Sequence, residues 1–140
     1  MLIKRGKIMY RSGVLNSDIN RVLGDLGHTD TLCISDCGLP VPDGVEKIDL
    51  AVKKDLPGFW DVFESVAGSM GVEQVTLSEE MIRSNPELLA RLQSYYGESV
   101  KFVFVPHEEF KKQTRGCKAV IRTGEMTAYA NVILRAACLF

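Results

Sequence analysis

The sequence lacks long hydrophobic runs and has no excess of charge of either sign. No apolar run approaches the ~20 residues that a membrane-spanning helix needs. Lys and Arg total 17 against 18 Asp and Glu, for a net charge of −1. A chain without a basic excess attracts the phosphates of nucleic acid poorly. We therefore expect neither a membrane partner nor a nucleic-acid partner.

The common motifs of metal and cofactor chemistry are lacking as well. The chain has four cysteines and two histidines, and their spacing matches no zinc site. There is no glycine-rich nucleotide loop and no Gly-x-Ser-x-Gly nucleophile. We expect no metal and no cofactor. The cysteines have apolar neighbours, which is typical of reduced thiols packed in a core and favours a cytoplasmic location.

The length and composition predict one ordinary domain. The chain has 140 residues, of which 46% are hydrophobic, enough to form a core without disulfides or metals. Residues 1–9 are basic and lack the apolar stretch of a secretory signal. We interpret them as a loose N-terminal extension, with Met9 as an alternative start, and residues 10–140 as the domain.

Helical and strand-like segments alternate along the domain, a pattern typical of α/β folds. Some strands follow one another without a helix, so we predict a mixed β-sheet of about six strands flanked by helices. The strand at 100–105 is nearly all apolar and is predicted to be central. The first helix is predicted to begin at Asn16 and stop at Gly27. The predicted strands are 31–35, 47–52, 72–77, 100–105, 119–122 and 131–134, and the other helices begin near 57, 85 and 106.

Both histidines fall at the ends of predicted elements. Imidazole suits proton transfer near neutrality, because its unperturbed pKa is about 6.5. His28 follows the end of the first helix, where it either transfers protons or simply bonds the last carbonyls of the helix. His107 opens a later helix, where a polar residue is common for structural reasons alone.

Other polar residues also lie at strand ends, where small α/β sheets bind ligands. Asp36 follows a buried strand and either caps the next loop or binds a polar group. Asn131 can donate and accept, which suits neighbouring hydroxyls, or it bonds the adjacent turn. Lys111 lies four residues after His107, on the same helix face, and is either a ligand or a solvated lysine.

Four ordered motifs resemble those of the D-ribose pyranase family. The resemblance runs from about residue 12 to residue 140, and four motifs in order are more specific than any one of them. Cys37 stands where the family usually has a smaller residue, and Ala128 where it has proline. The motifs are the segments 13–18 with 26–30, 35–42 with 48–50, 107–111, and 121–125 with 129–131.

The resemblance implies an enzyme that interconverts the pyranose and furanose rings of free D-ribose. It implies that His28 is the catalytic proton donor. It also implies a homo-oligomer, a pentameric ring or a decamer, with sites near subunit contacts. Two alternatives stay open, an L-fucose or other monosaccharide mutarotase and a non-catalytic sugar-binding accessory of ribose uptake. The side chains implied to hold the sugar are those of Asp36, His107, Lys111, Tyr129 and Asn131.

Overall fold

The computed structural model describes residues 13–139, which form six strands, five α-helices and one 3₁₀-helix. The predicted extension at residues 1–9 and the terminal Phe140 lie outside the described residues. None of the helices within 13–139 is long and apolar enough to cross a membrane. The elements are α1 Ser17–Asp25, β1 Thr31–Ser35, β2 Glu46–Asp49, α2 Phe59–Ala67, β3 Val72–Ser78, α3 Glu80–Ser84, α4 Pro86–Tyr96, β4 Lys101–Val105, α5 His107–Gln113, the 3₁₀-helix Thr114–Gly116, β5 Ala119–Arg122 and β6 Val132–Ala136.

The strands form a single mixed sheet in the order β2-β5-β1-β6-β3-β4. β1 pairs in parallel with β5, as do β2 with β5 and β3 with β4, whereas β6 is antiparallel to both of its neighbours. Five strands therefore point the same way, and β6 runs against them. The carboxyl ends of those five strands and the amino end of β6 meet at one edge, which we call the carboxyl edge. The opposite edge is the amino edge.

Apolar residues cover both faces of the sheet, so the fold has three layers. On one face, Phe63 of α2 and Leu92 of α4 join Leu32 and Leu134 of the sheet in the larger core cluster. On the other face, Phe110 of α5 packs in a smaller cluster with residues of the central strands. The apolar residues of β1 alternate between these clusters, as expected for a strand covered on both sides.

The predicted fold class is confirmed, but several details differ. β4 pairs with β3 alone and is an edge strand, so its prediction as a central strand is wrong. β2 ends at Asp49, whose side chain accepts a hydrogen bond from Ala51 N (3.0 Å) and starts a turn. α1 ends at Asp25 with Leu26 as its cap, before the predicted stop at Gly27. α3 and the 3₁₀-helix were not predicted from the sequence.

The cysteines follow their predicted environment only in part. Cys33 and Cys117 are buried and Cys37 is half-buried, all three as free thiols. Burial raises the pKa of the Cys33 and Cys117 thiols, so both remain neutral. Cys138 is exposed, and its expected packing in a core is wrong.

Candidate active site

Asp36 and Asn131 join the ends of two antiparallel strands at the carboxyl edge. Asp36 follows β1 and Asn131 precedes β6. The side-chain carbonyl of Asn131 accepts from Asp36 N (2.8 Å), and its amide donates to Asp36 Oδ2 (3.2 Å). Asn131 is only 3% exposed. A buried amide that bonds both ways is held in one orientation.

The second carboxylate oxygen of Asp36 shapes the loop after β1. Asp36 Oδ1 accepts hydrogen bonds from Gly38 N (3.0 Å) and Leu39 N (2.9 Å). This is the loop cap that an aspartate at a turn is expected to form. Asp36 therefore links the loop to Asn131 through a single carboxylate, and it contributes both to the structure and to the wall of a cavity.

His107 and Tyr129 approach each other from two different segments at the same edge. Their rings meet edge to face, with centroids 5.1 Å apart and an interplanar angle of 86°. Tyr129 has a φ of 61°, in the left-handed region that residues other than glycine seldom adopt. Backbone held in this region is commonly found at functional sites.

The start of α5 is fixed from outside the helix. Both carboxylate oxygens of Glu80 accept from His107 N, at 3.0 and 3.2 Å. One turn later, Lys111 Nζ lies 2.8 Å from Glu108 Oε1. The ring nitrogen Nδ1 of His107 is buried and, within residues 13–139, has no hydrogen-bond partner. A buried nitrogen without a hydrogen bond is uncommon in folded proteins, and this one is a donor or acceptor that the fold itself does not use.

These side chains surround one open cavity of about 330 Å³. Its volume lies near the lower end of the ~300–1,000 Å³ that is usual for small-molecule sites. All five side chains predicted to hold the sugar line it, together with loop residues on either side. The complete lining is Asp36, Gly38, Leu39, Pro40, His107, Lys111, Ala128, Tyr129 and Asn131.

Glu125 holds the segment that carries Tyr129 and Asn131. Its Oε1 accepts from Phe59 N (3.0 Å) at the start of α2, and its Oε2 accepts from the Thr127 hydroxyl (2.8 Å). Its backbone oxygen accepts from Cys37 N (2.9 Å). Partial burial acts against the charged form, but the hydrogen bonds outweigh it and lower the pKa of Glu125. The carboxylate of Glu125 thus connects α2 with the loop after β5, and its backbone oxygen connects this loop with the loop after β1.

His28 lies at the amino edge, away from the cavity. It precedes β1, whereas Asp36 follows it, and the five residues of β1 span about 17 Å. The turn that carries His28 is anchored by Thr29 N to Ala136 O (3.0 Å) and by Gly27 N to Asp30 Oδ2 (2.8 Å). The side chain of His28 is 52% exposed. Within one chain, the structure does not bring His28 together with the other predicted site residues.

Glu73 holds the His28 ring and is itself held by Arg135, and neither residue was singled out from the sequence. His28 Nε2 lies 2.8 Å from Glu73 Oε1, and Arg135 Nε lies 2.8 Å from Glu73 Oε2. The hydrogen bond from His28 is the main cause that lowers the pKa of Glu73, and Arg135 adds to it. No local signal marks Glu73 or Arg135, because their proximity to His28 depends on the order β1-β6-β3 in the sheet.

The cavity presents carboxylate, amide, hydroxyl, imidazole and ammonium groups at the carboxyl ends of parallel strands. This arrangement defines a small α/β protein that binds a polar small molecule. The chain belongs to the RbsD / FucU transport protein family, whose model matches residues 9–139. The family predicted from the four sequence motifs is thereby confirmed.

Curated relatives and solved structures place the chain within this family. It is 54% identical over 132 residues to a D-ribose pyranase of Bacillus cereus, covering 94% of this chain and 100% of the relative. It is similar to the structure of Bacillus subtilis RbsD complexed with D-ribose, with a TM-score of 0.90, 49% identity and coverage of 94% of this chain and 100% of the other. The Streptococcus pneumoniae fucose mutarotase complexed with L-fucose shares the fold, with a TM-score of 0.73 at 18% identity over 90% of this chain and 95% of the other.

Proposed function

We propose that this protein is an isomerase that interconverts the pyranose and furanose forms of free D-ribose, and so feeds ribose catabolism. The observation that carries the proposal is the cavity lined by all five predicted sugar ligands. The chain's similarity to D-ribose pyranases over their whole length supports the choice of sugar. The proposed location is the cytoplasm, where the thiols of Cys33 and Cys117 remain reduced.

The reaction consists of proton transfers around a ring that opens and closes. Opening requires a proton on the ring oxygen and removal of the proton from the anomeric hydroxyl, which yields the open aldehyde. Closure through a different hydroxyl gives the other ring. General acid–base catalysis of such steps contributes about 10²–10⁴-fold. His28 is the proposed proton donor, and His107 in the cavity is the candidate for the second proton transfer.

The remaining cavity residues orient the sugar. Asn131 and Asp36 hold each other rigidly, so their free donor and acceptor positions face the ligand without further reorganisation. Lys111 is 33% exposed at the cavity wall, and it supplies a cation for a hydroxyl oxygen. Tyr129 offers a ring face and a hydroxyl, a combination that suits a molecule with one polar and one apolar surface.

The position of His28 leads to a site shared between two copies of the chain. His28 and the cavity lie at opposite edges of the sheet, so the imidazole reaches a cavity only on a neighbouring copy. Exposed apolar side chains accompany both edges: Leu139 near the amino edge, and Val52 and Met126 near the carboxyl edge. Contact between two different surfaces is head-to-tail, and repeated contacts of this kind form a ring where the rotation between neighbours closes. The proposed assembly is a homo-oligomeric ring, a pentamer or a decamer of two such rings.

The activity is tested by NMR saturation transfer on D-ribose with and without the protein. The expected result is faster exchange between pyranose and furanose signals when the protein is present. A parallel measurement with L-fucose separates a ribose enzyme from a fucose mutarotase. Binding of D-ribose with no gain in exchange rate would identify a sugar-binding accessory instead and would contradict the proposal.

The shared site is tested by mixing two inactive variants. His28→Ala keeps an intact cavity, and Asn131→Ala keeps an intact His28, so neighbours of opposite type form a complete site. Random co-assembly is expected to restore about a quarter of the wild-type sites. Lys111→Ala replaces Asn131→Ala if the latter does not assemble. Failure to recover activity in verified mixed assemblies would place both halves of the site in one chain.

A further inference from the structure

The His28 ring is held by one of its two nitrogens. Its Nε2 lies 2.8 Å from Glu73 Oε1, and among residues 13–139 the ring has no other hydrogen bond. An ionised carboxylate only accepts hydrogen bonds, so the proton of this contact belongs to Nε2. The side chain is 52% exposed, and Nδ1 is therefore the nitrogen left for a second molecule.

Glu73 is itself fixed by Arg135, which lies on the neighbouring strand. The two oxygens of the Glu73 carboxylate are divided between the partners, His28 Nε2 on Oε1 and Arg135 Nε on Oε2, both at 2.8 Å. Glu73 is on β3 and Arg135 is on β6, and Gln74 and Arg135 are register partners in the sheet. Asp30 and Lys118 form a looser pair nearby, with 4.0 Å between Lys118 Nζ and Asp30 Oδ2. The carboxylate is thus carried by a strand of the sheet, at a register shift between Val72 and Gln74, rather than by a loop.

We propose that Glu73, held by Arg135, is a positioning residue that fixes the His28 ring through Nε2 and makes Nδ1 the atom that delivers the proton to the sugar. This inference rests on the proposed function, since it assigns an atom and a support to the proton donor. When the sugar ring opens, the protonated imidazole of His28 gives its Nδ1 proton to the ring oxygen of the sugar. The bond between that oxygen and the anomeric carbon breaks at the same time. The anomeric hydroxyl proton passes to the second carrier in the cavity.

The arrangement supports both halves of this step. The Glu73 carboxylate stabilises the positively charged ring before transfer and keeps the Nε2 proton in place afterwards, so the neutral ring left behind has a single tautomer. Because Nδ1 of the imidazole then has no proton, it can accept one when the sugar ring closes. A ring without this support rotates about its side-chain bonds and presents either nitrogen, which lowers the fraction of productive encounters.

The first test compares Glu73→Gln with Glu46→Gln. Glu46 forms a similarly exposed pair with Arg21 but contacts no histidine, so it is a matched control. Glu73→Gln is expected to lower kcat about tenfold to a hundredfold while KM for D-ribose changes less than about twofold. Glu46→Gln is expected to leave both constants unchanged. Equal effects of the two substitutions, or a rise in KM alone, would overturn the positioning role.

The second test identifies the reacting nitrogen. Replacing His28 with Nδ1-methylhistidine retains an imidazole ring at this position but blocks proton exchange at Nδ1. The expected result is pyranose–furanose exchange of D-ribose as slow as that of His28→Ala. Retention of most of the wild-type rate would show that Nε2 transfers the proton and would overturn the assignment.

The outcomes separate this inference from the proposed function. If His28→Ala itself exchanges D-ribose at the wild-type rate, the proposed proton donor is wrong. If His28→Ala is inactive but Glu73→Gln and the Nδ1-methylated protein are active, the donor stands and only the role of Glu73 and Nδ1 is refuted.

Discussion

The two edges of the sheet are built in contrasting ways. At the carboxyl edge, the loops after β1 and β5 are tied together by hydrogen bonds of Asp36, Asn131 and Glu125, and they enclose a cavity. At the amino edge, His28 projects from a short turn and is supported by two half-exposed ion pairs. The carboxyl edge has the preorganised geometry of a binding site. The amino edge offers the imidazole ring of the proposed proton donor at an open surface, where a second molecule can approach it.

This contrast suggests a division of roles, in which the carboxyl edge binds the sugar and the amino edge supplies the proposed proton donor. A cavity that must discriminate among hydroxyl groups benefits from rigid partners, since each misplaced donor costs affinity. A proton donor that enters the cavity of another copy must instead protrude from its own chain. Substitutions at each edge test this division.

Removing the ring at the amino edge is expected to affect rate and not binding. His28→Ala should slow pyranose–furanose exchange about 10²–10⁴-fold, because the proton donor is lost while the cavity is unchanged. Saturation-transfer NMR measures the rate, and titration calorimetry with D-ribose measures the affinity. A loss of affinity as large as the loss of rate would contradict the division between the two edges.

Glycines at opposite ends of β5 are expected to differ strongly in their tolerance of a side chain. A Cβ on Gly124, at the carboxyl edge, would lie 2.6 Å from both Leu56 O and Lys53 O, whereas one on Gly116, at the amino edge, meets nothing within 4 Å. Gly124→Ala should therefore lower the free energy of unfolding by about 3 kcal/mol, since rigid backbone must move. Gly116→Ala should be close to neutral. Urea unfolding of both variants checks the difference.

The same tight packing makes Asn131 important for stability as well as for binding. Asn131→Ala leaves the Asp36 backbone N–H without its buried acceptor, which costs about 1–3 kcal/mol. It also removes a proposed sugar ligand, so D-ribose affinity should fall in the same variant. Chemical unfolding and calorimetry measure the two losses separately. Full stability together with weakened binding would show that the pair with Asp36 serves the ligand alone.

Sequence reasoning located the residues of the cavity better than it located their partners. Asp36, His107 and Asn131 were identified because polar residues at strand ends are visible from alternation of strands and helices, and because four motifs added a family resemblance. Glu73 escaped notice because its contact with His28 depends on β6 lying between β1 and β3, and strand order is a property of long-range packing. The wrong prediction of β4 as a central strand has the same origin, since an outermost apolar strand and a central one have similar composition.

The resemblance also could not reveal that His28 and the cavity lie at opposite edges of one chain. Only seven residues separate His28 from Asp36 along the chain. The extended strand β1, about 17 Å long, lies between them. The direction of β1 therefore separates His28 from the cavity within one chain, and the proposed contact between donor and sugar falls at an interface between copies.

The smallest expected effect concerns acid stability, and it distinguishes the two edges by their response to salt. Hydrogen bonds from Arg21 and His28 lower the pKa values of Glu46 and Glu73 from 4.5. A carboxylate with a lowered folded-state pKa stabilises the protein above about pH 4.5, and this contribution is lost as the pH falls through the folded-state value. Both side chains are partly exposed, so salt should screen most of their contribution.

Glu125 provides the contrast, because its pKa is lowered by backbone and hydroxyl hydrogen bonds against partial burial. The Glu46→Gln, Glu73→Gln double variant should lose a small part of the acid dependence at low salt and show little difference from wild type at high salt. Glu125→Gln should lose the contribution of Glu125 to the acid dependence of stability at either salt concentration. The hydrogen bonds that Glu125 accepts are short-range and partly shielded from solvent. Urea midpoints between about pH 3 and pH 7 at two salt concentrations make the comparison. Equal salt sensitivity of the two variants would contradict this expectation. It would mean that salt screens Glu125 at the carboxyl edge as strongly as it screens Glu46 and Glu73 at the amino edge.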